Sequence, residues 1–249
     1  MRTRSDVLGV RVDVVSWEEA VDRIMGWAKC RESKYVCACN VHMIITAKTD
    51  LRLAGAIESS DLATPDGMPI AWNLRLTGFR NQERINGPDL MLRSCLRAAR
   101  DGVPIFLFGS TESTLTALCA NLLGLCSGLR IAGTYAPPFR EFADSEDLEI
   151  IKRINQSGAG IVFVGLGCPK QELWMERHRG SINAVLLGVG AAFDYHAGTL
   201  KRAPPWMRGV GMEWLFRLAI EPRRLWRRYL VTNTLFIAAM TSRLIRAKK

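Results

Sequence analysis

The sequence predicts an α/β fold, a largely parallel sheet flanked by helices, ending in a basic amphipathic helical C-terminal appendage. Three observations predict it. Short apolar runs alternate with helical patterns through most of the chain, which is how a parallel sheet with crossover helices is written. Charge is unevenly placed: of a formal net charge of +10, residues 199–249 carry twelve Lys or Arg against Glu213 and Glu221, leaving 22 bases and 22 acids before them. Beyond Pro222, arginines and apolar residues recur in opposite phase at helical spacing.

Taken in order, residues 16–30 form a helix, with Ser16 as N-cap ahead of the acidic Glu18 and Glu19. The apolar run 35–39 is a strand closed by Asn40, beside Val41 and His42. Apolar Leu62 and Ala63 lead into Thr64, Pro65, Asp66 and Gly67, where Asp66 alone reads as a turn residue. Arg84, Asn86, Gly87 and Pro88 introduce a helix over 89–100, with Asp89 placed to cap or charge its start. Strands follow at 103–109, 129–134, 160–165 and 184–190, and helices at 111–123, 145–156 and 169–178, with Ser145 as an N-cap. The pattern breaks near 198–211, dividing the chain into a core over 1–198 and an appendage over 199–249. In the appendage Arg223, Arg224, Arg227 and Arg228 share a spacing that Leu225, Trp226, Tyr229 and Leu230 repeat two residues later. Two residues are ~200° around an α-helix, so the two sets face opposite ways. That describes an interfacial membrane helix, or equally a terminal helix docked on the core with solvated arginines.

Composition excludes several classes. Hydrophobic residues, at 48%, suffice for a sizeable core, yet no run approaches the ~18 apolar residues of a membrane span. The N-terminal stretch lacks the apolar region of a secretory signal. Seven cysteines and three histidines show no zinc spacing, and read as reduced, mostly buried thiols of a cytosolic protein. There is no Walker loop, no Gly-x-Ser-x-Gly elbow and no Asp-x-Asp pair.

The loop GLGCPKQE, residues 165–172, follows an apolar strand and precedes a helix. Gly165 and Gly167 suit a tight turn beside a phosphate, but Lys170 stands where a dinucleotide loop has its third glycine. Lys170 can offset phosphate charge and the Gln171 amide can read a base or sugar; equally, Lys170 is exposed and the glycines only turn the chain.

Asn40, the Asp66 turn, the Arg84–Asp89 stretch, Phe106 to Gly109, the 165–172 loop, Gly188 to Asp194, Arg202 to Trp206, Gly211 to Leu218 and Glu221 to Tyr229 stand in one order along the chain. In this ordered set the sequence resembles the WecG/TagA/CpsF glycosyltransferase family over nearly its whole length. The resemblance implies a Rossmann-like core and inverting transfer from a UDP-sugar, N-acetylmannosamine-type or a related hexose. The implied acceptor is a sugar linked to polyprenyl diphosphate at the inner face of the bacterial cytoplasmic membrane, in cell-surface polysaccharide synthesis. Neither metal nor other cofactor is expected. By resemblance Asp66 is the catalytic base, with ordinary acidity, and Asn40 an active-site neighbour. Arg84, Gly165, Gly167, Lys170 and Gln171 contact the donor, and Asp194 a nucleotide hydroxyl. Arg217, Arg224 and Arg227 belong to a segment that folds over the site and meets phosphate. The enzyme is expected to be cytoplasmic and peripherally bound to an anionic membrane through that segment. Assembly into a homo-oligomer is compatible with the sequence and not specified by it. The alternative is a nicotinamide-dependent oxidoreductase, disfavoured by the missing third glycine. A nucleic-acid partner is not expected, because Trp226 and Tyr229 give the basic tail an apolar face.

Overall fold

The computed structural model describes residues 2–138, 140 and 144–246. The chain opens with an antiparallel hairpin, β1 (Arg4–Val7) and β2 (Val10–Asp13), followed by α1 (Trp17–Lys29) and β3 (Lys34–Cys39). Next come α2 (Val41–Ala47), α3 (Leu51–Ser59), β4 (Leu62–Pro65), α4 (Met68–Leu76) and α5 (Gly87–Asp101). The alternation then becomes regular: β5 (Ile105–Gly109), α6 (Glu112–Leu125), β6 (Ile131–Tyr135), α7 (Asp144–Ser157), β7 (Ile161–Gly165), α8 (Lys170–Arg177), β8 (Val185–Gly188) and α9 (Ala192–Ala197). Three helices finish the chain: α10 (Pro205–Gly209), α11 (Glu213–Ile220) and α12 (Pro222–Arg246).

Strands β3 to β8 form one sheet in the order β4-β3-β8-β7-β5-β6, parallel at every pairing. All six therefore end at the same edge, so the loops after them share one rim. Alternation along each strand sends neighbours to opposite faces. Val36, Ile105, Leu107, Ile161 and Phe163 pack under α1, α5, α6 and α9. Tyr35, Cys37, Phe106, Phe108, Val162 and Val164 pack under α2, α3, α4, α7 and α8, with Phe236 of α12 among them. Burial on both faces explains why these strands read as continuous apolar runs.

The expected strands and helices of the core are present, with ends shifted by a few residues. Ser16 forms a full capping box with Glu19. Ser145 does not cap its helix, because α7 is already helical at Asp144. Asn40 does more than close β3: its side chain accepts from the Met43 N–H at 3.1 Å and so starts α2. Unpredicted are the hairpin, β4 and the short helices α2 to α4 and α9 to α11. β4 is only four residues and ends in proline, while α2, α4, α9 and α11 are too short for a 3.6-residue period to stand out.

The C-terminal helices lie against the body. Arg202 clasps Asp89 of α5 at 2.6 and 2.9 Å, Asn73 of α4 donates to Met240 Sδ at 3.1 Å, and Arg243 reaches Asp6 at 2.6 Å. Leu225, Thr232 and Phe236 form the buried stripe of α12. The two-faced reading of this helix needs correcting. Arg228 turns inward and is largely buried, while Trp226 and Leu230 are 48% and 62% exposed. Docking occupies only one stripe, so a second apolar stripe of Trp226, Leu230 and Ile237 is left outside. Lys248 and Lys249, counted in the basic tail, lie outside the described residues. Among the described residues no helix is long and apolar enough to cross a membrane.

Candidate active site

A crevice opens at the carboxyl ends of β3 and β4, with α11 and α12 above it. Asp66 leaves β4 with its N–H donating to the Cys39 carbonyl at 2.9 Å, which fixes it beside Asn40 at the end of β3. Asn40, which caps α2, thus stands next to Asp66, and its amide favours the ionised form of that carboxyl. The loop after α4 runs alongside, tied by the Ile85 N–H to the Pro65 carbonyl at 2.9 Å. This delivers Arg84, whose Nε donates to the Asp66 carbonyl and whose Nη2 lies 3.6 Å from Asp66 Oδ1.

The same Nη2 donates to Glu213 Oε2 at 2.6 Å. Glu213 opens α11, so a glutamate from the C-terminal segment reaches into the rim and shares one guanidinium with Asp66. All three side chains are less than one-fifth exposed. Burial is the largest influence on Asp66 and pushes its carboxyl above the ordinary range; Arg84 opposes this, Glu213 adds to it, and the Asn40 hydrogen bond and Arg217 oppose it. The ordinary acidity expected for Asp66 is thus corrected: most of its side chain is shielded from water and a second carboxylate sits nearby.

Arg217 lies one turn beyond Glu213, 3.9 Å from Glu221 and over the Tyr195 ring at 5.7 Å. Its Nε and the Tyr195 hydroxyl are buried without a hydrogen-bond partner among the described residues, leaving donors free for a ligand. Asp194 sits in the same field: burial raises its carboxyl, Arg224 and Arg217 oppose this, and Glu221 adds to it. Arg224 is held by Glu221 at 2.9 Å. His42 is neutral, pushed down to about 4 by burial and the nearby Arg228.

The 165–172 loop borders the crevice after β7. A Cβ on Gly165 would meet the Phe193 ring at 2.9 Å, so this glycine is required by packing; Gly167, with φ of +80°, is required by the turn. Gln171 is 5% exposed, donates to Glu172 at 2.7 Å and packs beneath Gly188 and Gly190, its Oε1 without a partner. Lys170 is exposed, and Arg227 is exposed over the ring of its neighbour Trp226 at 5.3 Å. The structure therefore gathers Asn40, Asp66, Arg84 and Arg217, sets Asp194 and Arg224 beside them, and leaves Lys170 and Arg227 outside that network. Glu213 and Tyr195 were missed by sequence reasoning. The only signal for Glu213 was its place in the Gly211 to Leu218 stretch, since a glutamate opening a helix ordinarily reads as a dipole partner. Among the described residues no group of three or more His, Cys, Asp or Glu is placed to hold a metal.

A parallel sheet with a largely shielded carboxylate at its carboxyl rim, beside arginines of the C-terminal helices, has the layout of an α/β enzyme whose site lies outside the strand ends. The chain belongs to the WecG/TagA/CpsF glycosyl transferase family, which matches residues 5–249, and is a glycosyltransferase. It is 30% identical over 196 residues, 78% of this chain and 74% of the relative, to N-acetylglucosaminyldiphosphoundecaprenol N-acetyl-beta-D-mannosaminyltransferase of Bacillus subtilis (strain 168). The nicotinamide alternative finds no support here, and its loop offers a buried Gln171 and an outward Lys170 where close backbone approach was needed.

Proposed function

We propose that this glycosyltransferase moves an N-acetylmannosamine-type or related hexose, with inversion, from a UDP-sugar to an acceptor sugar on polyprenyl diphosphate, in bacterial cell-surface polysaccharide synthesis. The observation that carries the reading is the largely shielded Asp66 beside Arg84, under a roof that supplies Arg217. Asp66 accepts the acceptor hydroxyl proton as that oxygen bonds to the anomeric carbon and the bond to UDP breaks. A carboxylate made more basic by burial is better matched to this task than an ordinary aspartate. The departing diphosphate gathers charge, which Arg217 and Arg224 offset in place of a metal; activity unchanged by chelator checks this. Gly165, Gly167, Gln171 and Lys170 border the donor, and Asp194 faces a nucleotide hydroxyl.

Residues 199–249 act as a distinct covering segment on the 1–198 core and hold the enzyme on the inner face of the membrane. Exposed Trp206, Trp226, Leu230 and Ile237 support this, alongside Arg223, Arg224 and Arg227. The test is to screen UDP-sugars with a short polyprenyl-diphosphate-sugar acceptor and identify the product by mass spectrometry. Sugar transfer that extends the lipid-linked acceptor is expected, and turnover with no donor–acceptor pair would refute the assignment.

A further inference from the structure

An open groove of about 320 Å³ lies between α11 and α12, lined by Trp214, Leu218, Trp226, Tyr229 and Leu230, with Asn233 and Thr234 as its two polar members besides the Tyr229 hydroxyl. Trp214, Trp226 and Leu230 are each at least 40% exposed, so large apolar side chains line a trough open to water, an unfavourable arrangement unless something apolar occupies it.

The groove adjoins the crevice. Trp214 follows Glu213, which grips Arg84, and Leu218 follows Arg217. Tyr229 belongs to both places. Its ring meets Trp214 edge-on with centroids 6.0 Å apart, and its hydroxyl lies in the field of Arg217, Arg228 and Glu213. Arg227, over the Trp226 ring, marks the groove's edge with a cation. An apolar trough thus leads away from a cationic crevice suited to diphosphate. A diphosphate ester with a hydrocarbon tail satisfies both parts at once: the arginines match its charge, and the trough continues where the charge ends.

We propose that the α11–α12 groove binds the first isoprene units of the polyprenyl-diphosphate acceptor, so that the lipid tail is held by protein as the diphosphate enters the crevice. This rests on the acceptor class of the proposed function. Long, flexible hydrocarbon suits a groove whose area is mostly Trp, Tyr and Leu, with Asn233 and Thr234 confined to the α12 side.

The test compares two acceptors with the same diphosphate-sugar, one bearing a farnesyl tail and one a methyl group, in buffer without detergent or vesicles. KM for the farnesyl acceptor is expected to be at least about tenfold lower, since each buried methylene contributes appreciably. Leu230→Gln and, separately, Trp226→Gln change exposed side chains that the fold does not need; each is expected to raise that KM and draw the two values together. Equal KM values on the unsubstituted enzyme, or a preference that survives both substitutions, overturns the groove assignment. If Leu230→Gln instead dissociates an oligomer in sedimentation velocity and leaves both KM values alone, the face is an interface between copies and the assignment falls. Turnover of neither acceptor by the unsubstituted enzyme overturns the proposed function itself, and the groove's ligand with it.

Discussion

The core and the C-terminal segment handle apolar surface in opposite ways. In the core, both faces of a parallel sheet are covered, and Phe106, Phe108 and Phe163 are at most 1% exposed. Its charges balance, and many pair locally, as Arg97 does with Asp22 and Asp101. In the segment, α12 buries one stripe and leaves another outside, next to arginines that are only partly neutralised. A scaffold minimises exposed apolar and charged surface; a segment that keeps both is shaped for something outside the chain. Among the places where the two regions meet, one lies in the site: the Arg84 guanidinium holds Asp66 of the core and Glu213 of the segment. The chemistry on one side is thereby tied to the position of the other.

The sharpest break is Asp66→Asn. It keeps the size and removes the base, so transfer should fall by about 10²- to 10⁴-fold while donor binding by calorimetry and the unfolding temperature stay near those of the parent. Full activity in a folded Asp66→Asn protein would refute the base assignment. Arg217→Ala removes the segment's inward cation and should lower kcat by up to about 10²-fold. An unchanged kcat would mean that the departing diphosphate is offset elsewhere.

A smaller, signed effect tests the junction. Because burial raises the Asp66 carboxyl, the acid limb of the rate profile should lie above the ordinary aspartate range. Glu213 adds to that elevation, so Glu213→Gln should move the limb to lower pH; Arg84 opposes it, so Arg84→Gln should move the limb to higher pH. The opposite directions separate electrostatic coupling from simple misfolding, which would lower the rate without moving the limb. Membrane attachment comes next in size. Arg223→Glu reverses an exposed charge on α12, and at about 1 kcal/mol per basic residue near an anionic surface should weaken vesicle sedimentation several-fold, with added salt doing the same. Sedimentation indifferent to both would argue against the membrane role.

Much of this was legible in the sequence where one physical rule dominated. Double burial makes strands such as 161–165 uninterrupted apolar runs, and Ser16 with Glu19 announces a helix start by local chemistry alone. Asp66, Arg84 and Gln171 were named by resemblance, from the ordered motifs around them, since Asp66 alone reads as a turn residue. Features set by tertiary contact were not. The pairing of Glu213 with Arg84 spans 129 positions, and no periodicity encodes it. The inward turn of Arg228 contradicts its own charge pattern, because α12 docks on the stripe of Leu225 and Phe236, which carries Arg228 towards the core. The raised Asp66 carboxyl follows from burial and from the charge of Glu213, which only the folded chain brings near.

The smallest effect probes the clasp between regions. Burial works against ionising Asp89, but hydrogen bonds from Arg202 and Asn86, with the nearby Arg208, outweigh it and hold its carboxyl at about 2. A carboxyl depressed in the folded state stabilises it above the unfolded value of ~3.9, and loses that contribution as pH falls through the folded value. The clasp should therefore be fully formed above about pH 4 and should release as the pH drops towards 2. Both side chains are partly exposed, at 21% and 30%, so solvent screening limits the contribution to about 1 kcal/mol or less. Asp89→Asn should accordingly lower the unfolding temperature at neutral pH by only about 1–3 °C. The difference from the parent should shrink as the pH falls towards 2, where about half of the parent's Asp89 is protonated. If the deficit instead persists unchanged into acid, Asp89 supports the fold through packing at the start of α5, and its ion pair with Arg202 contributes nothing to joining the two regions.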